Sequence, residues 1–197
     1  HHYGYRTAII SSDTTNWGEL RKYLWNENLD VFFDAENLPT TYSTASKERG
    51  YVTDFKDTPR TKSKAVPDRE TVDFNIAWIQ KSVADRKPWF LYTFFYQPHY
   101  PYKIDNDDAR PFQPSEQDFD STFVWFPPDK INVMLNAYLN AVHETDAQLG
   151  RLIQYLEDSG QMDNTVIAIT GDHGEAFKEH GVVTHAGPLF EEVVRVP

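Results

Sequence analysis

The residues with the greatest chemical capacity stand together in the run Thr170-Gly171-Asp172-His173-Gly174-Glu175. A carboxylate beside an imidazole is a hard-to-borderline ligand pair suited to Zn²⁺ or Mn²⁺. Adjacent side chains point apart on a strand and on a helix, so Asp172 and His173 can share one ion only if the backbone bends between them. Gly171 and Gly174 permit that bend. The competing reading is a plain turn whose Asp172 caps a following helix. With no cysteine in the chain there are no thiolate ligands and no disulfides, and any metal must be held by His, Asp and Glu. That donor set favours zinc or manganese, with calcium or magnesium next.

Three further histidines lie where they could act on an anionic group. His99 sits in Tyr96-Gln97-Pro98-His99-Tyr100-Pro101-Tyr102, where prolines on either side lower the entropy cost of holding an imidazole in place. Such a histidine can donate to an anionic oxygen or protonate a leaving group, or else pack within its aromatic loop. His185 follows His173 by 12 residues, too many for one helical face, so a loop must bring it back. A surface histidine is the alternative there, and for His180 as well. Glu175 reads as a residue that orients a site ligand or caps the next turn. Asp13 reads as a helix cap, and Lys178 and Arg195 as solvated charges.

The elements that must position these residues follow an α/β order. Strands are predicted at Arg6 to Ser11, Val31 to Phe33, Trp89 to Tyr96 and Thr165 to Thr170; the last two lack polar alternation, as strands covered on both faces do. Helices are predicted from Thr14 or Thr15 to about Asn28, from Asp68 or Thr71 with Val72, Ile76, Ile79 and Val83 on one face, and from about Asp129 to Ser159. Pro127-Pro128 suits the start of the last and Gly160 its stop. Pro39 to Pro67, which includes the polar Ser43-Thr44-Ala45-Ser46, and Tyr100 to Pro128 look irregular; the second carries an acidic cluster, Asp105, Asp107 and Asp108. The order implies a mostly parallel sheet flanked by helices on both faces, with ligands beyond the carboxyl ends of the strands. Asp13, His99 and Asp172-His173 all follow predicted strands.

A net charge of −11, from 30 acidic and 19 basic residues, argues against nucleic acid, which needs Lys and Arg against phosphates. It leaves room for a small anionic substrate, because a bound cation would dominate the local field. A zinc peptidase is poorly supported, since His173 and His180 lack the His-Glu-x-x-His helical spacing.

The run from Leu149 and Gly150 through Leu152, Leu156, Gly160, Asn164-Thr165 and Gly171-Asp172-His173-Gly174-Glu175 to His180-Gly181, His185 and Val194-Arg195-Val196-Pro197 resembles the C-terminal part of sulfatases. It is similar also to the related phosphoethanolamine transferases and lipoteichoic-acid synthases. Gly4-Tyr5-Arg6-Thr7, leading into a strand and Ser11-Ser12, resembles an earlier segment of that domain. The match spans nearly the whole chain and is firm over about residues 138 to 197. The resemblance implies an incomplete alkaline-phosphatase-like α/β domain, with residues 1 to 197 as the C-terminal part of one catalytic domain. It implies that Asp172 and His173 are metal ligands, and that His99 and His185 face the transferred group or leaving oxygen. The family nucleophile, a Ser, a Thr or a Cys converted to formylglycine, would lie N-terminal to this stretch with another metal-binding acid, so the stretch alone is expected to be inactive. The implied activity is metal-dependent hydrolysis of sulfate or phosphate esters. The alternatives are a phosphoethanolamine- or glycerophosphate-type transferase, and a non-catalytic regulatory or lipid-binding member. An extracytoplasmic location is expected, with any membrane anchor in the missing part.

Overall fold

The computed structural model describes residues 3–37, 48–49, 63–104 and 110–197. The acidic cluster Asp105, Asp107 and Asp108, the Ser43 to Ser46 stretch and most of the Pro39 to Pro67 segment lie outside them. In chain order the elements are β1 (Arg6–Ser11), α1 (Leu20–Leu24), β2 (Val31–Phe33), β3 (Glu48–Arg49), β4 (Ser63–Lys64), α2 (Asp68–Ala84), β5 (Trp89–Phe94), α3 (Ile131–Asp158), β6 (Ala176–Phe177), β7 (Val183–Thr184) and α4 (Glu191–Val194). The described residues fall into two compact units: 3–37, 48–49, 63–97 and 145–159 form one, and 98–104, 110–144 and 160–197 the other.

The first unit is built on a parallel sheet in the order β2-β1-β5. β1 is central, pairing Arg6 to Ser11 with Trp89 to Phe94 and Ala8 to Ile10 with Val31 to Phe33. Being paired on both edges, it is the most buried strand of the sheet, and Ala8 and Ile10 are wholly buried. α2 packs on β1 and β5. Of its predicted apolar face, Val72 and Ile79 are buried while Ile76 and Val83 are only half-buried. Thr71, Asn75 and Ser82 share the interior; Asn75 donates to the Thr93 hydroxyl (2.7 Å) and Ser82 to its own helix at the Trp78 carbonyl (2.9 Å). Such partners let the Asn75 amide nitrogen and the Ser82 hydroxyl sit inside. Asp68, in the first turn of α2, accepts from the Ser12 hydroxyl (2.7 Å) and the Tyr96 amide (3.2 Å), tying the residues that follow β1 and β5 to the helix N-terminus.

The helix predicted from Thr14 or Thr15 to Asn28 is much shorter. A 3₁₀ turn, Trp17–Glu19, precedes the five residues of α1, and Gly18 and Glu19 take left-handed backbone (φ 55° and 60°). The physical reason is a competing partner. The Thr15 hydroxyl and amide both donate to the fully buried Asp34, which Arg21 also contacts at 3.3 Å, so Thr15 is not available as a cap. Asp13 accepts from the Thr14 amide (2.7 Å) within the same turn.

In the second unit the first half of α3 supplies Met134, Ala137 and Ala141 to a core with Tyr100, Tyr102, Ile104, Phe126, Phe177 and Val183. α3 starts after a 3₁₀ turn at Pro128–Lys130 and ends before Gly160, whose φ of 67° is the left-handed stop that a glycine allows. The proline-rich stretch before α3 is held by side chains of the helix. Asn140 accepts from the Phe112 amide (3.0 Å) and donates to the Phe112 carbonyl (2.9 Å), and Asn136 donates to the Pro114 carbonyl (3.0 Å). The predicted strand Thr165 to Thr170 is not one. No described strand pairs with it, and Val166 and Ile169 are 97% and 54% exposed. A β-branched run acquires strand structure from a ladder partner, and its propensity alone does not supply one. Among the described residues no helix is long and apolar enough to cross a membrane.

Candidate functional site

A short hairpin brings the second unit's polar residues together. β6 and β7 pair antiparallel, Ala176 with Thr184 and Phe177 with Val183. One step further along that register, Glu175 falls opposite His185, and cross-strand neighbours lie about 4.5–5.5 Å apart at Cβ. The turn is closed by the Lys178 amide to the Val182 carbonyl (2.8 Å) and the Gly181 amide to the Lys178 carbonyl (3.1 Å), with Lys178 and Gly181 at φ 73° and 79°. This is the loop that His185 requires. His185 Nδ1 donates to Glu175 Oε1 at 3.2 Å, and the Glu175 side chain is only 6% exposed.

His173 lies against His185, their ring centroids 3.8 Å apart. His99 joins from its proline-flanked loop, 6.1 Å from the His185 ring and stacked parallel to Phe123 at 6.3 Å. Phe123 meets His185 edge-on at 4.8 Å, and the buried Thr184 hydroxyl donates to the Phe123 carbonyl (2.9 Å). Of the sequence-selected residues, His99, His173, His185 and Glu175 are thus brought together. His180 is not: its ring stacks on Phe190 at 4.1 Å and its Nδ1 donates to Glu192 (2.7 Å), holding that carboxyl below its usual pKa.

Hydrogen bonding determines which nitrogen each histidine presents. His99 Nδ1 is 2.7 Å from the Tyr100 carbonyl and His173 Nδ1 2.8 Å from the Gly174 carbonyl. A carbonyl can only accept, so Nδ1 carries the proton in both and Nε2 presents its lone pair when the ring is neutral. His99 is an exposed residue, yet enough protein surrounds its ring that desolvation pushes its pKa below the ordinary 6.5 against the pull of the Tyr100 carbonyl; His185 and His173 add to the lowering and Glu175 opposes it.

The donor pair Asp172 and His173 fits part of a metal coordination sphere. Asp172 Oδ2 is 3.7 Å from His173 Nε2, less than twice a metal–ligand bond of about 2.0–2.2 Å. The Asp172 side chain is 74% exposed, its other oxygen accepting from the His173 amide (3.1 Å), and a hairpin rather than a helix follows. Among the described residues no third His, Asp or Glu completes a set. The bend needs Gly174 for a reason that spacing does not reveal. Its amide donates to the Val193 carbonyl at 2.6 Å, and an added Cβ would lie 2.1 Å from the Glu192 carbonyl oxygen. The backbone of α4 is packed directly on the bend.

Two contributors escaped sequence reading, Phe123 and Tyr102. Tyr102 is 2% exposed and its hydroxyl donates to Glu175 Oε2 at 2.9 Å. The only signal available was its place three residues after His99.

The family model described as Sulfatase matches residues 1–197. This chain belongs to the sulfatase family. Among relatives of this sulfatase-family chain, the multifunctional alkaline phosphatase superfamily protein PehA of Trinickia caryophylli is 27% identical over 146 residues, covering 57% of the chain and 28% of PehA. Iduronate 2-sulfatase of Homo sapiens is 26% identical over 166 residues, covering 64% of the chain and 30% of that enzyme. The crystal structure of the lipoteichoic acid synthase LtaP from Listeria monocytogenes superposes with a TM-score of 0.63 at 20% identity, over 98% of this chain and 42% of LtaP. The α/β fold with a parallel sheet that the resemblance implied is the fold observed. The chain spans less than a third of the length of either relative.

Proposed function

We propose that this sulfatase-family chain supplies one side of the active site of a metal-dependent hydrolase that cleaves sulfate or phosphate esters. The observation that carries the reading is the convergence of His99, His173 and His185, with Asp172 beside His173, in a chain that matches the family along its length. Asp172 and His173 Nε2 would hold a divalent ion, zinc or manganese first, with further carboxylates and the nucleophile drawn from residues outside this stretch. Such an ion would neutralise charge on the ester oxygens and lower the pKa of the nucleophile. His185, oriented by Glu175, and His99 face the ester oxygens. An anionic ester beside His99 opposes the desolvation that keeps the ring neutral, so binding would be accompanied by proton uptake there, and the imidazolium could protonate the leaving oxygen. The substrate is proposed to be an anionic ester outside the cytoplasm; transfer to an acceptor other than water is the second outcome that the same chemistry allows.

The test is hydrolysis of 4-nitrophenyl sulfate and 4-nitrophenyl phosphate by the intact protein, with metal content measured alongside. His185→Ala should lower kcat/KM by about 10²–10⁴-fold, and Asp172→Ala should lower bound metal. No turnover of either ester together with no bound metal would refute the reading and favour a non-catalytic regulator.

A further inference from the structure

Tyr102 is hydrogen-bonded at one end to His99 and at the other to Glu175, the partner of His185; His99 and His185 are the two histidines proposed to face the substrate. Its amide donates to the His99 carbonyl at 2.9 Å, closing the four-residue turn that carries His99. Its hydroxyl donates to Glu175 Oε2 at 2.9 Å, while Glu175 Oε1 receives His185 Nδ1 at 3.2 Å. We propose that Tyr102 is a positioning residue that sets the placement of His99 and His185 relative to each other, acting on His185 through Glu175. The proposal rests on the reading of His185 as a substrate-facing group.

The surroundings of Tyr102 suit that task. Its ring is clamped edge-on between Tyr100 and Tyr138, at 5.6 Å from each, and lies 5.9 Å from Phe177. Its φ of 59° lies in the left-handed region, which a bulky aromatic adopts only when its surroundings impose it. Burial, reinforced by Glu175, pushes the phenol well above its ordinary pKa of 10.0, so the hydroxyl keeps its proton and remains a donor. Glu175 offers two oxygens, and fixing one with a rigid donor turns the other toward His185. That holds the His185 proton on Nδ1 and leaves Nε2 as the reacting face. A residue that only filled the core would need the ring and not the hydroxyl.

Tyr102→Phe in the intact protein separates the two roles, because it keeps the ring and removes the donor. The expected result is a fall in kcat of about tenfold with little change in KM. The imidazole ¹⁵N shifts of His185 should move from the Nδ1-protonated tautomer toward a mixture. If Tyr102→Phe will not fold, 4-fluorophenylalanine at position 102 fills the hydroxyl's volume without donating and should show the same two changes. Unchanged kcat together with an unchanged His185 tautomer overturns the proposal. An intact protein that holds the Nδ1 tautomer and loses it in Tyr102→Phe, yet turns over neither ester and binds no metal, upholds the link to His185 and sinks only the hydrolase reading.

Discussion

Gly174→Ala is the sharpest test of how the Asp172-His173 bend is held. The new Cβ would lie 2.1 Å from the Glu192 carbonyl oxygen, 3.0 Å from its carbon and 3.3 Å from the Arg195 carbonyl oxygen. All three are main-chain atoms, so no rotamer change relieves the clash. Either α4 or the bend must give by about 1.3 Å to restore ordinary contact, and the 2.6 Å bond from the Gly174 amide to Val193 must lengthen. Overpacking of this kind costs about 1–3 kcal/mol, and weakening the hydrogen bond adds about 1 kcal/mol. A destabilisation of about 2–4 kcal/mol follows. Two other glycines calibrate it. Gly150, exposed on α3 with nothing within 4 Å of a built Cβ, should gain about 0.5–1 kcal/mol on replacement by Ala. Gly181 has equally open space but a φ of 79°, so Gly181→Ala should lose about 1–2 kcal/mol from backbone strain alone. Urea unfolding of the three variants should therefore rank Gly150→Ala above wild type, then Gly181→Ala, then Gly174→Ala. A Gly174→Ala midpoint at or above that of Gly181→Ala would refute the close-approach argument.

Two further outcomes are expected. An NMR titration should place the His99 pKa below 6.5; because the folded value is the lower one, the stability it contributes is present above pH 6.5 and is lost as pH falls through the folded value. His99→Gln should flatten that part of the urea-stability profile, and a profile unchanged by the substitution would count against burial of the ring as the cause. Asn140→Ala removes both bonds to Phe112 at a position 2% exposed and should cost about 2–3 kcal/mol, with faster exchange of the Phe112 amide; protection equal to wild type would show that the Phe112 segment is held by something else.

What could be read along the chain was set by local chemistry. The apolar run Ala8 to Ile10, the register of three and four in α3 and the stop at Gly160 follow from nearest neighbours, and strands β1 and β2 and helix α3 appear where those signals lie. Asp172-His173 and His99 were visible because their residue types and flanking glycines or prolines restrict what they can do. The rest depended on partners distant in sequence. Thr15 looked like a cap until Asp34 claimed it, and Thr165 to Thr170 looked like a strand although no described strand pairs with it. The same holds inside the site. The chain order states that His185 must return, but only the Ala176–Thr184 register says that it returns to Glu175. Gly174 reads as a flexible bend in one dimension and proves to be a contact surface for the α4 backbone in three. Hydrogen-bond direction and burial are properties of surroundings, so the residue types determined which groups could react, while packing decided which nitrogen each histidine presents.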